Sequence, residues 1–176
     1  MNKSTNQGVA YIDGANLHNG SKQLGWELDY KRLRIWLREK YGVEQAYLFL
    51  GLVPRYKSLY TDLQEKGFTL VFKEVTYDNF GKIKGNCDAD LVVQAMKDAY
   101  EQKYKKAILI SSDGDYASLV SFLIQKGKNI LVLSPYKTEK CSVLLKRTEV
   151  SIAYISDKKN ILGAQKEKAP DADVTA

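Results

Sequence analysis

Two aspartates that are far apart in the chain each follow a short apolar run. Asp13 comes after residues 9–12, and Asp113 comes shortly after residues 107–110. Such runs are typical of central strands in a parallel sheet, and α/β proteins usually bind ligands at the carboxyl ends of those strands. Neighbouring strands lie about 4.8 Å apart, so two carboxylates at adjacent strand ends can bind one hard cation.

A third acidic motif, residues 84–91, leads from a loop into a predicted helix. Helical spacing places Asp88 on the face shared by Val92 and Ala95, which should pack against the sheet, and places Asp90 on a polar face. We therefore expect Asp88 to point inward and Asp90 outward. An inward carboxylate in a first helical turn either accepts hydrogen bonds from free amides or supplies a ligand, and both interpretations stay open.

The other candidates also have ordinary structural interpretations. Aspartate and asparagine are favoured at helix N-termini, so Asp115 and Asn16 taken singly are more typical of helix caps than of ligands. For Asp113 a metal ligand is the more typical interpretation, because asparagine or serine would serve equally well if the residue only stabilised the turn. His18, the single histidine, is more typical of a surface or packing residue than of a catalytic one.

Several carboxylates at one edge repel one another and raise some of their pKa values unless a cation neutralises them. The chain has one histidine, and Cys87 and Cys141 do not form a Cys-x-x-Cys pair, so the usual zinc ligands are missing. Oxygen ligands favour Mg²⁺ or Mn²⁺. The residues alone therefore predict metal-assisted phosphoryl hydrolysis.

Composition predicts one domain. The chain has 176 residues, of which 44% are hydrophobic and 27% charged, and we expect a domain over residues 8–157 and a polar, disordered tail over residues 158–176. The net charge of +6 is compatible with a polyanionic partner without identifying one. With no leader, no apolar run of the roughly 18 residues that a membrane span needs and no paired cysteines, the sequence predicts a soluble, cytoplasmic protein.

Apolar runs alternate with helical patterns along the chain. Strands are predicted at residues 9–12, 46–53, 69–76, 107–110, 130–133 and 151–154, and helices at residues 29–40, 56–66, 88–101 and 116–126. Such alternation predicts a three-layer α/β/α sandwich with a mainly parallel central sheet.

In that order and at those element boundaries, the three acidic motifs resemble the NYN domain family, specifically its bacterial LabA-like branch. The resemblance spans about residues 8 to 155. It implies a PIN-like nuclease fold that binds Mg²⁺ or Mn²⁺ and cuts single-stranded or structured RNA. Carried over by position, Asp13, Asp88 and Asp113 would bind the metal, Asp115 would be a fourth carboxylate, and Asn16 a supporting polar group. Members of this branch often have a further aspartate where this chain has Gln94.

The predicted activity is a metal-dependent ribonuclease with Asp13, Asp88, Asp113 and Asp115 as catalytic residues and with Asn16 and Lys84 contacting the substrate. Lys84 is placed to neutralise phosphates, although an exposed loop lysine is more often solvated. Among the 12 tyrosines, Tyr116 and Tyr77 lie nearest the inferred edge, where a ring could stack on an unpaired base.

Other functions stay open at this point. One is a catalytically weak or inactive RNA-binding or regulatory module with the same fold. A Toprim-like domain is less consistent with the sequence, because that fold needs a glutamate where this chain has Asp13. No pattern decides whether the protein forms a homo-oligomer.

Overall fold

The central sheet consists of parallel strands only. The computed structural model of the protein describes residues 7–74, 76–77, 79–80, 83–84 and 87–164. In these residues the strands are β1 (Gly8–Asp13), β2 (Val43–Leu52), β3 (Thr69–Glu74), β4 (Thr76–Tyr77), β5 (Ile83–Lys84), β6 (Lys106–Ile110), β7 (Asn129–Ser134) and β8 (Ser151–Tyr154). Six of them form the sheet in the order β3-β2-β1-β6-β7-β8, and β4 and β5 form a separate antiparallel pair.

The strand order changes direction between β1 and β6. The chain builds the sheet outward from β1 through β2 to β3, and then from β6 through β7 to β8 on the other side. β1 and β6 are hydrogen-bonded neighbours in parallel register, with Ile12 opposite Ile110. A crevice at the carboxyl ends of the strands forms at such a switch point, and ligands of open α/β sheets bind there.

Helices cover both faces of the sheet. The described helices are α1 (Gly14–Ser21), α2 (Tyr30–Tyr41), α3 (Lys57–Glu65), α4 (Asp88–Tyr100), α5 (Ala117–Gln125), α6 (Val143–Lys146) and α7 (Lys159–Leu162). Buried side chains of α4, α5 and α6 form one core with the sheet, and those of α1, α2, α3 and α7 form the other. The predicted three-layer α/β/α sandwich is confirmed.

β1 shows why the sheet is buried on both sides. Val9 and Tyr11 belong to the core under α4 and α5, whereas Ala10 and Ile12 belong to the opposite core. All four side chains are at most 5% exposed. A strand buried on both faces needs a continuous apolar run, which is the pattern that identified β1 in the sequence.

Helix ends follow local sequence signals. Asp29 caps α2 by accepting a hydrogen bond from the Arg32 amide. Gly67 and Gly127, which follow α3 and α5, have φ angles of +90° and +66°, the left-handed conformation that glycine adopts without strain. The four predicted helices are therefore present with small shifts at their ends.

The structure contains elements that the sequence patterns did not predict. α1 has Leu17 as its single large apolar residue, and its glycines and asparagines weaken helix propensity. The predicted strand at residues 69–76 ends at Glu74, and Thr76 pairs with β5 instead. The ordered chain continues past residue 157 through α7, whose Leu162 is fully buried. Residues 165–176 of the predicted tail lie outside the described part of the chain.

No helix in the described part of the chain is both long enough and apolar enough to cross a lipid bilayer.

A buried polar network attaches α4 to β1. The Asp98 side chain is 1% exposed and accepts hydrogen bonds from the Tyr11 hydroxyl and the Gln94 side-chain amide, both at 2.9 Å. Lys103 lies 3.3 Å from the same carboxylate. Because Asp13 ends β1 and Asp88 begins α4, this network fixes the two elements that carry those aspartates.

Removing the Tyr11 hydroxyl should destabilise the fold. Tyr11→Phe leaves the buried Asp98 carboxylate without one of its donors, which should lower the free energy of unfolding by about 1–3 kcal/mol. Urea denaturation measures this difference. Tyr47→Phe is the matched control, since Tyr47 stacks on Tyr11 and its hydroxyl has no hydrogen bond to a described residue. Equal effects of the two substitutions would contradict the role of the Tyr11 hydroxyl.

Candidate active site

Four aspartates meet at the switch point of the sheet. Asp13 is the last residue of β1, Asp113 follows β6, and Asp88 is the first residue of α4. Asp88, Asp113 and Asp115 each have a carboxylate oxygen within 4.8 Å of the others. Residues separated by up to about a hundred positions in the chain therefore form one acidic cluster.

Tyr116 connects Asp13 to this group. Its hydroxyl lies 2.5 Å from Asp88 Oδ1 and 3.3 Å from Asp13 Oδ2, and its side chain is 1% exposed. Burial, followed by the Asp13 charge, raises the pKa of Tyr116 well above its usual value, so the hydroxyl keeps its proton. One hydroxyl proton thus lies between two carboxylates, and the shorter distance shows that Asp88 is the main acceptor.

Asp13 is held by the helix that follows it. Its Oδ1 accepts a hydrogen bond of 2.9 Å from the Asn16 amide, so Asp13 is the N-cap of α1. Its Oδ2 accepts a longer hydrogen bond of 3.3 Å from the Ser111 hydroxyl. Burial raises the pKa of Asp13; the Asn16 amide opposes the shift, and the neighbouring Asp88 charge adds to it.

Asp113 is the capping residue of its turn. Its Oδ1 accepts a hydrogen bond of 3.0 Å from the Asp115 amide at the start of the 3₁₀ turn Gly114–Tyr116, which leads into α5. The interpretation of Asp115 as the cap was therefore wrong, and its carboxylate is exposed beside the other two. The sequence favoured a ligand over a turn residue at Asp113. The two roles are compatible, because one carboxylate oxygen caps the turn and the other oxygen stays available as a ligand.

Asn16 is not a helix cap either. It lies inside the first turn of α1, and its Oδ1 accepts a hydrogen bond of 2.9 Å from the Ser112 amide. This bond joins the segments that follow β1 and β6. Ser112 continues the connection, because its hydroxyl lies 2.7 Å from the Ser134 hydroxyl at the end of β7. Sequence reasoning missed both serines, which lack any distinctive spacing.

The remaining predicted residues have mixed outcomes. Asp90 is exposed and forms an ion pair of 3.1 Å with Lys73, as expected for an outward residue. His18 is exposed on α1. Tyr116, a candidate for base stacking, is instead buried beneath the carboxylates. The side chains of Lys84 and Tyr77 lie outside the described part of the structure.

The donor set suits a hard divalent cation. Among the described residues, no lysine or arginine forms an ion pair with Asp13, Asp113 or Asp115. Burial, followed by the Asp90 and Asp13 charges, raises the pKa of the nearby Cys87 thiol to about 11, so a thiolate is absent at neutral pH. Carboxylate oxygens without thiolate or imidazole are the ligands that Mg²⁺ and Mn²⁺ prefer.

The sequence model of the NYN domain matches residues 9–154, most of the chain. The chain belongs to the NYN domain family. The match covers all three acidic motifs and, apart from Gly8, every strand of the central sheet. The observed sandwich with its parallel sheet agrees with the α/β/α fold expected for this family.

Two solved structures are similar to this NYN domain. A protein of unknown function from Vibrio parahaemolyticus is 19% identical, with a TM-score of 0.71 over 88% of this chain and 96% of that chain. At that identity the similarity concerns the fold alone. The MAR1 ribonuclease from Caenorhabditis elegans is 14% identical, with a TM-score of 0.45 over 89% of this chain and 80% of that chain. The comparison with curated proteins found no match.

The raised pKa of Asp13 predicts that this NYN domain gains stability when the residue is made neutral. Since the folded state favours the protonated carboxyl, stability declines as the pH rises from 3.8, the ordinary pKa, through the raised pKa. Asp13→Asn, which keeps a capping oxygen, should therefore increase the free energy of unfolding at pH 7 in EDTA. This gain in the free energy of unfolding should shrink as the pH falls through the raised pKa of Asp13 and should be absent below 3.8.

Denaturation curves at several pH values test this expectation. Asp90→Asn makes the same chemical change at an exposed aspartate that is paired with Lys73, so it should give no gain. A loss of stability for Asp13→Asn at pH 7 would show that its hydrogen bonds outweigh the cost of burying its charge.

Proposed function

We propose that this NYN domain is a metal-dependent ribonuclease that hydrolyses RNA phosphodiester bonds at the acidic cluster. The observation that carries the proposal is the group formed by Asp88, Asp113 and Asp115, whose oxygens lie within 4.8 Å of one another at the switch point of the sheet. Membership of the NYN family supports nuclease activity on RNA. The acidic motifs further support the LabA-like branch, and the free thiols of Cys87 and Cys141 support a protein of the reducing cytoplasm.

The proposed metal ligands are Asp13, Asp88 and Asp113, and Asp115 is a fourth carboxylate beside them. Asp13 belongs to this set because its Oδ2 makes only two contacts of 3.3 Å, which a stronger ligand can replace. Bound Mg²⁺ or Mn²⁺ would act as a Lewis acid on the phosphodiester and would increase the acidity of water.

The residues around the cluster have separate proposed roles. Asp115 is the exposed member, so it is the carboxylate best placed to accept a proton from the attacking water. Asn16 holds the ends of β1 and β6 together through Ser112 and thereby keeps Asp13 and Asp113 side by side. Lys84 keeps its proposed role of neutralising substrate phosphates.

One observation favours the second candidate, an RNA-binding module without appreciable turnover. Gln94 donates its hydrogen bond to Asp98, which lies on the buried face of α4 and is attached to Tyr11. The position that is often acidic in the LabA-like branch therefore adds no charge to the cluster. RNA retention in a gel shift without cleavage would support this candidate.

Divalent metal binding should be measurable without any RNA. Mn²⁺ at about 100 times its dissociation constant should stabilise the protein by about 2.7 kcal/mol, because the ion binds the folded state alone. Asp88→Asn should weaken Mn²⁺ binding by at least about tenfold in calorimetric titration. Asp90→Asn, two residues away on the same helix and outside the cluster, is the matched control. Equal Mn²⁺ affinities of the two variants would contradict the assigned ligands.

Cleavage should depend on the same carboxylates. With labelled single-stranded RNA and Mn²⁺, Asp113→Asn and Asp115→Asn should each reduce the rate by more than about a hundredfold, since even groups behind a metal ligand contribute 10- to 100-fold. Asp90→Asn should cleave at close to the wild-type rate, and EDTA should abolish cleavage. Intact RNA after incubation with the wild-type protein would reject the enzyme and leave the binding module.

A further inference from the structure

A small pocket lies at the carboxyl edge of the sheet, between the end of α1 and the segment that follows β7. Its volume is about 250 Å³, and its lining includes Leu24 on one side and Pro135, Tyr136 and Lys137 on the other. Pockets for drug-sized ligands usually have about 300–1,000 Å³, so this one suits a single flat ring system. A larger cavity of 790 Å³ opens at the amino ends of the strands, on the opposite edge from the carboxylates.

Hydrogen bonds connect this pocket to the acidic cluster. The Ser134 hydroxyl donates to the Tyr136 carbonyl at 2.7 Å, so the Ser112 hydroxyl must donate to Ser134 across their 2.7 Å contact. Ser112 in turn donates its amide to Asn16 in the first turn of α1. Both serine side chains are buried, at 5% exposure or less. These bonds therefore hold the Tyr136 backbone in place relative to the ends of β1 and β6.

Close packing fixes the two walls of the pocket. A Cβ atom at Gly20 would lie 2.5 Å from the Pro135 Cβ, so glycine is needed for α1 to approach this segment. Lys140 donates a hydrogen bond to the Gln23 side chain and joins the walls a second time. The pocket is thus part of the folded scaffold before any ligand enters.

The lining combines an aromatic ring with positive charge. Tyr136 is half-buried, and burial followed by the Asp13 charge raises the pKa of its hydroxyl. Lys137 and Lys140 are exposed beside it, and with the exposed Glu139 between them the lining carries a net charge of about +1. A ring for stacking and lysines for the backbone are the two features with which proteins bind single-stranded nucleic acid.

We propose that this pocket receives one unpaired nucleobase of the RNA, next to the phosphate that lies at the acidic cluster, with Tyr136 as the stacking residue. The inference rests on the proposed function and narrows it to a substrate class, since a base enters the pocket only after leaving the helical stack. The substrate is therefore a single strand or a loop, and a continuous duplex is excluded.

Binding to RNA with single bases removed tests this inference. The Asp113→Asn protein serves as a full-length, non-cleaving background, and the probe is a labelled single-stranded RNA of about ten nucleotides measured by fluorescence anisotropy. Replacing one nucleotide at a time by an abasic ribose should weaken binding by about tenfold at one position, the base in the pocket. Tyr136→Leu, which keeps apolar bulk, should weaken binding of the intact RNA similarly and should abolish that sensitivity. Tyr136→Phe should preserve both.

The control variant is Tyr100→Leu, because Tyr100 is 90% exposed on α4 and lies outside the pocket. Three outcomes would each overturn the inference: unchanged sensitivity to the abasic site in Tyr136→Leu, equal binding of a continuous duplex, or no binding of single-stranded RNA. Thermal unfolding of each variant verifies that it is folded.

Failure of the proposed function gives a different result. A position-specific abasic effect that depends on Tyr136, combined with no cleavage by the wild-type protein, would reject hydrolysis and retain the pocket. The opposite result is that the wild-type protein and the Tyr136→Leu variant cleave RNA equally and that no position is sensitive to an abasic site. That result would support hydrolysis and reject the pocket.

Discussion

The central constraint on the structure is that several carboxylates lie close together. Among the residues that the structure describes, no lysine or arginine forms an ion pair with Asp13, Asp113 or Asp115. Their mutual repulsion raises the free energy of the folded state. Local hydrogen bonds offset part of this cost: Asp13 and Asp113 each accept an amide from the helical turn that follows, and the Tyr116 hydroxyl donates to Asp88. The clustering is therefore built into backbone geometry at three helix starts, where the helix dipole also favours negative charge.

Sheet topology makes these helix starts converge. β1 and β6 end at the same level because they are parallel neighbours, and the chain leaves the sheet in opposite directions from this pair. α4 delivers Asp88 to the same edge, and the buried contact between Tyr11 and Asp98 fixes the helix along β1 further from the cluster. Errors in strand order or in the position of α4 would separate the carboxylates, so the site and the core are stabilised by the same contacts.

Sequence reasoning succeeded where a residue's role follows from its position along an element. Continuous apolar runs identified the six sheet strands, and helical spacing gave the inward direction of Asp88 and the outward direction of Asp90. Sequence reasoning failed where a residue's role depends on a tertiary contact with a residue that is distant in the chain. α1 has one large apolar residue and is stabilised by the Asp13 cap and by packing at Gly20, neither of which is a periodic signal. Ser112, Ser134 and Tyr136 act together although no spacing relates them.

The sequence left open whether these aspartates are helix caps or metal ligands. The two roles are compatible because each carboxylate has two oxygens. A carboxylate has two oxygens and about four acceptor positions, so one amide hydrogen bond leaves most of its capacity. Asp13 and Asp113 use Oδ1 for their helical turns, and this orients Oδ2 without consuming it. Capping is therefore compatible with the proposed role of each residue as a metal ligand. Because the caps form with the fold itself, the geometry of the cluster does not depend on a bound cation.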